Sequence, residues 1–251
     1  MCTSLPLISV ITVCYNSEAT ISEAIDSVNR QCYDNIEHIF IDGGSTDRTC
    51  ELISKKSRKL TYFRSEKDNG IYDAMNKGVS HASGDYICFL NADDFYSRND
   101  VISNVASVLR VKFPDLLYTD IKYVDCRNPN KTVRTWFTGK FKSASLRNGW
   151  MPPHPGSFVR KDRFVDLRGF DERYSISADY DFLVRLCSTY GAKIEYLPIM
   201  SVIMKTGGVS NRDVKSILAK MSEDYLIIAR NNIGGIMTLI LKNIRKIGQF
   251  F

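Results

Sequence analysis

Ile36-Glu37-His38-Ile39-Phe40-Ile41-Asp42-Gly43-Gly44-Ser45-Thr46-Asp47 is the stretch that decides the fold. Its first half is a short run rich in β-branched residues, which reads as a strand, and it ends on an acid at a glycine turn. Ser45, Thr46 and Asp47 supply cap-type side chains, and Glu51, Leu52 and Ile53 continue as a helix with an acid in its first turn. On the amino-terminal side, residues 8–13 form a second apolar run, and Ile21, Ala24, Ile25 and Val28 repeat at helical spacing. On the carboxyl-terminal side, residues 60–63 read as a strand and residues 71–79 as a helix. Gly84 breaks that helix, and residues 86–90 form a strand that runs directly into Asn91-Ala92-Asp93-Asp94. Strand and helix patterns alternate, which predicts βαβ units and a parallel sheet.

Two acids, Asp42 and Asp93, therefore close strands. In open α/β sheets ligands bind beyond the carboxyl ends of the strands, so both stand where a binding site belongs. Taken singly, each is better read as a turn residue or helix cap, and the two taken together with their surroundings reverse that preference. After residue 100 the pattern predicts a helix over 101–111, strands within 116–124, an irregular stretch containing Trp136, Trp150 and Met151-Pro152-Pro153-His154-Pro155-Gly156, and a helix through Phe182, Leu183, Leu186 and Tyr190. No linker separates the halves, so one continuous domain is expected.

Composition narrows the classes. With 44% hydrophobic and 25% charged residues in a chain of 251, disorder and fibre are excluded. The seven cysteines are odd in number and scattered without a CxxC pair, which points to reduced cytosolic thiols rather than zinc or a disulfide framework. No Lys or Arg precedes the first apolar run, which argues against a secretory signal and for a cytoplasmic protein. No apolar run is long enough to span a bilayer. The net charge of +6 is mild and no long basic run is present, so nucleic acid is not the expected partner. No GxGxxG follows a strand, which excludes a dinucleotide fold, and Gly43-Gly44-Ser45 is too short and too acidic for a nucleotidyltransferase phosphate loop.

Asn91-Ala92-Asp93-Asp94 offers hard oxygen ligands of the kind that join magnesium or manganese to phosphates. An ordered set of segments surrounds it: Ile11-Thr12-Val13-Cys14-Tyr15-Asn16, the Asp42–Asp47 turn, Asp68-Asn69-Gly70-Ile71-Tyr72-Asp73-Ala74-Met75-Asn76-Lys77-Gly78, Gly84-Asp85-Tyr86, His154-Pro155-Gly156-Ser157-Phe158-Val159, Gly169-Phe170-Asp171-Glu172, Ser177-Ala178-Asp179-Tyr180-Asp181-Phe182 and Gly207-Gly208-Val209-Ser210. Over most of residues 6–210 this set resembles family 2 glycosyltransferases of the GT-A fold, in particular bacterial enzymes that build capsule, colanic-acid-like and O-antigen polysaccharides. The resemblance implies an α/β fold with a mostly parallel central sheet flanked by helices. It implies a single GT-A domain over 1–211, with a nucleotide-sugar half (1–98) and an acceptor half (99–211), followed by a helical tail over 212–251.

Carried over residue by residue, the resemblance implies a nucleotide-sugar pocket formed by Thr12, Tyr15, Asn16, Asp42, Asp73, Asn76, Asn91, Ala92 and Asp93. Tyr15 would lie against the base, Asp42 would bind uracil or ribose, and Asp93 would be the main ligand of Mn2+ or Mg2+. Asn91 departs from the pattern, because many relatives carry Asp there, and Asn keeps the hydrogen bonding while dropping a charge. Asp179, the Asp of the family's Glu-Asp motif, is the implied catalytic base, with Asp181 as competitor. Both stand in the first turn of a helix, whose positive end favours a carboxylate. Direct attack by the acceptor makes the expected enzyme inverting.

His154, in its Pro-rich loop, is a candidate contact to the diphosphate, the metal or the acceptor, and its alternative role is a neutral histidine in a rigid turn. Lys205 and Ser210 flank the glycines of a loop that would close over the donor. From Asn231 onward, large apolar residues are interleaved with Lys242, Arg245 and Lys246, a pattern suited to a helix at an anionic membrane surface. The expected activity is transfer of a hexose or N-acetylhexosamine from a UDP-sugar to a hydroxyl of a lipid-linked saccharide, at the cytoplasmic face of the inner membrane. The alternative is a catalytically inactive nucleotide-sugar-binding partner subunit, against which the retention of Asp93, Asp179 and Asp181 argues.

Overall fold

Ile8–Cys14 (β1) and Ile36–Asp42 (β2) are buried at every position, as central parallel strands covered on both faces must be. They pair in register from Ile8 with Ile36 to Cys14 with Asp42, so both end at the same edge of the sheet. Leu60–Ser65 (β3) lies parallel to β2, and Tyr86–Phe89 (β4) lies parallel to β1 with Phe89 opposite Ile11. The crossovers are Ile21–Asn29 (α1), Thr49–Lys56 (α2) and Ile71–Ser80 (α3). Acidic residues in the first turns of these helices, Glu23, Glu51 and Asp73, complement the helix dipoles.

The computed structural model describes residues 5–206, 214–247 and 249. The expected closing loop, Gly207 through Ser210, and the terminal Phe250 and Phe251 lie outside the described residues.

Beyond β4 follow Phe95–Tyr96 (β5), Val101–Lys112 (α4), Leu116–Val124 (β6), Thr132–Trp136 (β7), Ser157–Arg160 (β8), Lys161–Asp166 (α5), Ala178–Ser188 (α6), Ile194–Lys205 (β9), Val214–Arg230 (α7) and Ile236–Ile247 (α8). The strands join in the order β3-β2-β1-β4-β8-β6-β9-β5, with β7 paired to β6. The sheet runs parallel through β3, β2, β1 and β4, is turned by the antiparallel β8, and resumes a parallel pairing between β6 and β9. The fold is therefore α/β with a largely parallel sheet flanked by helices. The stretch between residue 124 and Gly156, expected to be irregular, contains the strand β7, and β8 and β9 follow it where no strand was expected.

One apolar core lies between the sheet and α3, α6, α7 and α8, and includes Ile11, Phe89, Tyr118, Trp150, Tyr180, Leu183, Ile227 and Leu239. A second packs α4 against the opposite face through Val10, Cys88, Val105, Leu109, Leu117 and Phe158. Burial of such side chains stabilises the fold by about 25 cal/mol per Å2 of apolar surface removed from water.

The carboxyl-terminal segment corrects one expectation. Lys242 does not face a lipid surface. It is 3% exposed, its Nζ lies 2.7 Å from Asp224 Oδ1 on α7, and it sits 3.2 Å from the centroid of the Tyr180 ring. Helical spacing explains this, because Lys242 follows the buried Leu239 by three positions. Arg245 donates to the Asn148 carbonyl at 2.8 Å. The outward face of α8 carries Ile236, Met237, Ile240 and Ile244, and that of α7 carries Ile217, Leu218, Met221, Tyr225 and Leu226, all exposed. Among the described residues no helix is long and apolar enough to cross a membrane.

Candidate functional site

The shared register of β1, β2, β3 and β4 brings four loops to one edge of the sheet. Asn16, after β1, has a left-handed backbone (φ 46°), a conformation that Asn tolerates better than most residues. Its Oδ1 accepts from the Thr46 amide at 2.9 Å and its own amide donates to Ser45 Oγ at 2.7 Å, which staples the first two loops together. Tyr15 beside it is 63% exposed. A Cβ on Gly43 would come within 2.8 Å of Asp68 Oδ2 and 3.5 Å of the Tyr15 ring, so the close approach of Asp68 to this turn requires a residue without a side chain.

Asp42 is fully buried and serves the turn itself. Its carboxylate accepts from the amides of Gly44 (3.1 Å) and Ser45 (2.8 Å) and from the hydroxyls of Ser45 (2.5 Å) and Ser65 (2.6 Å). Burial works against its charge, but these hydrogen bonds hold the carboxyl below its ordinary range. Asp42, expected to bind uracil or ribose, thus ties its own turn to the end of β3. Thr12 is fully buried too, with its hydroxyl 2.9 Å from His38 Nε2 inside the sheet.

The Asn91–Asp94 turn is built differently. Ala92 and Asp94 are buried, and Asn91 and Asp93 are partly exposed. Asn91 Nδ2 donates to Asp94 Oδ2 at 3.3 Å, whereas Asn91 Oδ1 and Asp94 Oδ1 are buried without a hydrogen-bond partner. Burial, followed by the charge of Asp93, pushes the Asp94 carboxyl well up. Orphaned buried acceptors beside a carboxylate suit a cation. Among the described residues no group of three or more His, Cys, Asp or Glu forms a closed metal cage.

Asp179, in the first turn of α6, receives a hydrogen bond from the Tyr72 hydroxyl at 3.0 Å, and the same hydroxyl lies 2.7 Å from the Ile176 carbonyl. Burial and then the Asp179 charge raise the Tyr72 phenol far above its ordinary value, so it remains a donor. Asp181, the expected competitor, is 2% exposed and paired with Arg185 at 2.7 Å, one helical turn on. His154 stacks on Phe89 at 5.0 Å and meets Phe170 edge-on at 5.6 Å, with its Nε2 buried and unpartnered. Burial lowers its imidazole and the Asp179 charge opposes that, so it is held neutral.

Phe89, against which His154 stacks, stands two residues before Asn91, and the short turn His154–Gly156 packs against both β4 and α6. Three expected contacts serve other purposes. Asp73 accepts from the Asn69 amide at 2.8 Å and pairs with Lys77 at 2.9 Å. Asn76 ties α3 to Phe170 and Glu172. Lys205 is ion-paired with Glu23, directed at α1 rather than at a donor. Tyr72 was not singled out from the sequence. Its signal was a tyrosine in the first turn of a helix that opens at the strand-end edge, beside Asp73.

A sequence profile for glycosyl transferase family 2 matches residues 9–165. The uncharacterised glycosyltransferase MT1564 of Mycobacterium tuberculosis (strain CDC 1551 / Oshkosh) is 34% identical over 194 residues, 73% of this chain and 70% of its own. The crystal structure of S. aureus TarS 1-349 in complex with UDP-GlcNAc aligns with a TM-score of 0.69 at 20% identity, over 88% of this chain and 66% of that one. The chain spans 39% of the longer TarS crystal chain. The mannosyltransferase PcManGT from Pyrobaculum calidifontis, in complex with GDP-Man and Mn2+, aligns with a TM-score of 0.66 at 18% identity, over 93% of this chain and 66% of that one. At these identities the two structures speak for the fold alone.

Proposed function

The chain belongs to glycosyl transferase family 2 and has the GT-A fold, and on that premise we propose that it is an inverting, metal-dependent hexosyltransferase. It moves a hexose or N-acetylhexosamine from a UDP-sugar to a hydroxyl of a lipid-linked saccharide in bacterial surface polysaccharide synthesis. One observation supports this reading: the His154–Gly156 turn packs against both β4, which leads into the Asn91–Asp94 turn with its unpartnered acceptors, and α6, whose first turn bears Asp179.

In this reading the exposed Tyr15 ring lies against the base. Asp93, with Asn91 Oδ1 and Asp94 Oδ1 beside it, would hold Mn2+ or Mg2+ together with the donor diphosphate. When bound, such an ion stabilises the negative charge that develops on the departing nucleoside diphosphate. Asp179 takes the proton of the acceptor hydroxyl through Oδ2, while Tyr72 fixes Oδ1. His154, neutral and packed between Phe89 and Phe170, helps to exclude water. Asn91 retains an acceptor oxygen in the same turn, which favours the enzyme over an inactive partner subunit. The outward apolar faces of α7 and α8, with Lys215 and Arg245 exposed among them, would rest on the cytoplasmic membrane surface that carries the acceptor.

The test is a screen of UDP-sugars with Mn2+ or Mg2+, reading UDP release and transfer to a synthetic lipid-pyrophosphate sugar. Metal-dependent transfer from one donor is the expected result. UDP binding without turnover for any pair would point instead to the partner subunit. Asp179→Asn should keep UDP binding, measured by calorimetry, and lose about 100-fold to 10,000-fold of the transfer rate, the range for removal of a general base.

A further inference from the structure

Three consecutive backbone amides lead into Asp179, and all three end on one carboxylate from the far end of the chain. Ser175 N donates to Glu223 Oε1 at 2.8 Å, and Ile176 N and Ser177 N donate to Oε2 at 3.0 and 2.8 Å. Successive N–H groups converging on an anion form a nest, and the last of them belongs to the residue that precedes the first turn of α6. From the same helix face Lys220 Nζ reaches Ser177 Oγ at 3.3 Å. The peptide chain at Ile176 is thus gripped twice, at its N–H by Glu223 on α7 and at its carbonyl by the Tyr72 hydroxyl on α3.

Tyr72 has one proton and two acceptors within reach, the Ile176 carbonyl and Asp179 Oδ1. Where the 175–177 segment sits therefore decides how that proton is shared and how Asp179 is presented. Glu223 is itself rigidly held. Its neighbour Asp224 is ion-paired with the buried Lys242, and Ile227 and Ile228, one turn on, are fully buried in the main core. The backbone of α8 lies against Gly149 so closely that a Cβ there would fall 2.3 Å from the Lys242 nitrogen. None of these contacts involves Tyr15 or Gly43.

We propose that Glu223 is a positioning residue that orients Asp179 through the 175–177 backbone, which makes the carboxyl-terminal hairpin part of the catalytic apparatus. The proposal rests on the reading of Asp179 as the base. Its test compares Glu223→Ala, Glu223→Gln, Asp179→Asn and the Glu223/Asp179 double variants, using the UDP-sugar that passes the donor screen and the synthetic lipid-pyrophosphate sugar. UDP affinity is measured by calorimetry.

Glu223→Ala is expected to lower kcat by about 10-fold to 100-fold, the scale of a misplaced catalytic group, with donor KM and UDP affinity within about twofold of the parent. Glu223→Gln, which keeps one acceptor oxygen for the Ile176 and Ser177 amides, should fall between the two. On the Asp179→Asn background, Glu223→Ala should cost little further, since residues that act as a unit are not additive. A kcat within twofold of the parent in Glu223→Ala would overturn the proposal, as would a full multiplicative loss in the double variant. If the Ala variant does not fold, Glu223→Gln and its double variant decide by the same two criteria. If Asp179→Asn itself retains the parental kcat, the assignment of the base has failed, which is a different result.

Discussion

Two acidic turns stand at the same edge of the sheet and are built in opposite ways. The turn after β2 spends Asp42 on its own backbone and serines, so that every charge-assisted bond it can make is internal. The turn after β4 leaves Asn91 Oδ1 and Asp94 Oδ1 buried and unpartnered beside Asp93. Buried acceptors without donors are costly, so the second turn gives up stability that the first one keeps. The difference teaches that two strand-end acids can look alike in sequence while one builds the scaffold and the other stays available to a cation.

The contrast can be broken by experiment. The largest expected effect is catalytic: Asp93→Asn should lower the transfer rate by about 100-fold or more, the scale of losing one group that stabilises transition-state charge. Its melting temperature should stay close to that of the parent. A strongly destabilised Asp93→Asn would erase the distinction between the turns. Asp42→Asn should behave the other way, losing about 2–3 kcal/mol in a denaturant titration as a charged acceptor of several hydrogen bonds becomes a neutral amide.

That loss should depend on pH. The folded Asp42 carboxyl lies below its ordinary value of 3.8, so its contribution is complete above that value and is lost as the pH falls through the lower folded one. The stability gap between parent and Asp42→Asn should therefore narrow between about pH 5 and pH 2; a constant gap would mean that the charge is not what the turn uses. The smallest effect is a ligand shift. UDP with Mn2+ should raise the parent's melting temperature by a few degrees and leave Asp93→Asn nearly unmoved.

The amino-terminal half of the fold was legible because its strands are continuous β-branched runs separated by helices of clear period. The later strands were not. β7 is a partly buried strand of Thr, Val, Arg and Trp paired to β6, and β9 is interrupted by Pro198, so neither shows a clean alternation. At the site, the sequence placed Asp42, Asp93 and Asp179 on strand-end or helix-start segments, yet it did not reveal which of them were already committed. Asp181 carried its answer in Arg185, four residues on, a spacing that reads as a helical ion pair. Glu223 could not be read at all, since its partners are backbone amides some 46–48 residues away and backbone groups leave no pattern in side-chain identity.

The buried Lys242–Asp224 pair means that the last forty residues are not a detachable module. Cutting the chain before α8 would strand Asp224 in the interior without its main counter-ion, and removing one member of a buried pair costs about 3–5 kcal/mol. A truncated protein would lose part of its core, so its failure to reach membranes would not test the proposed docking face. Substitutions confined to the outward Met237 and Ile240 would separate adhesion from integrity.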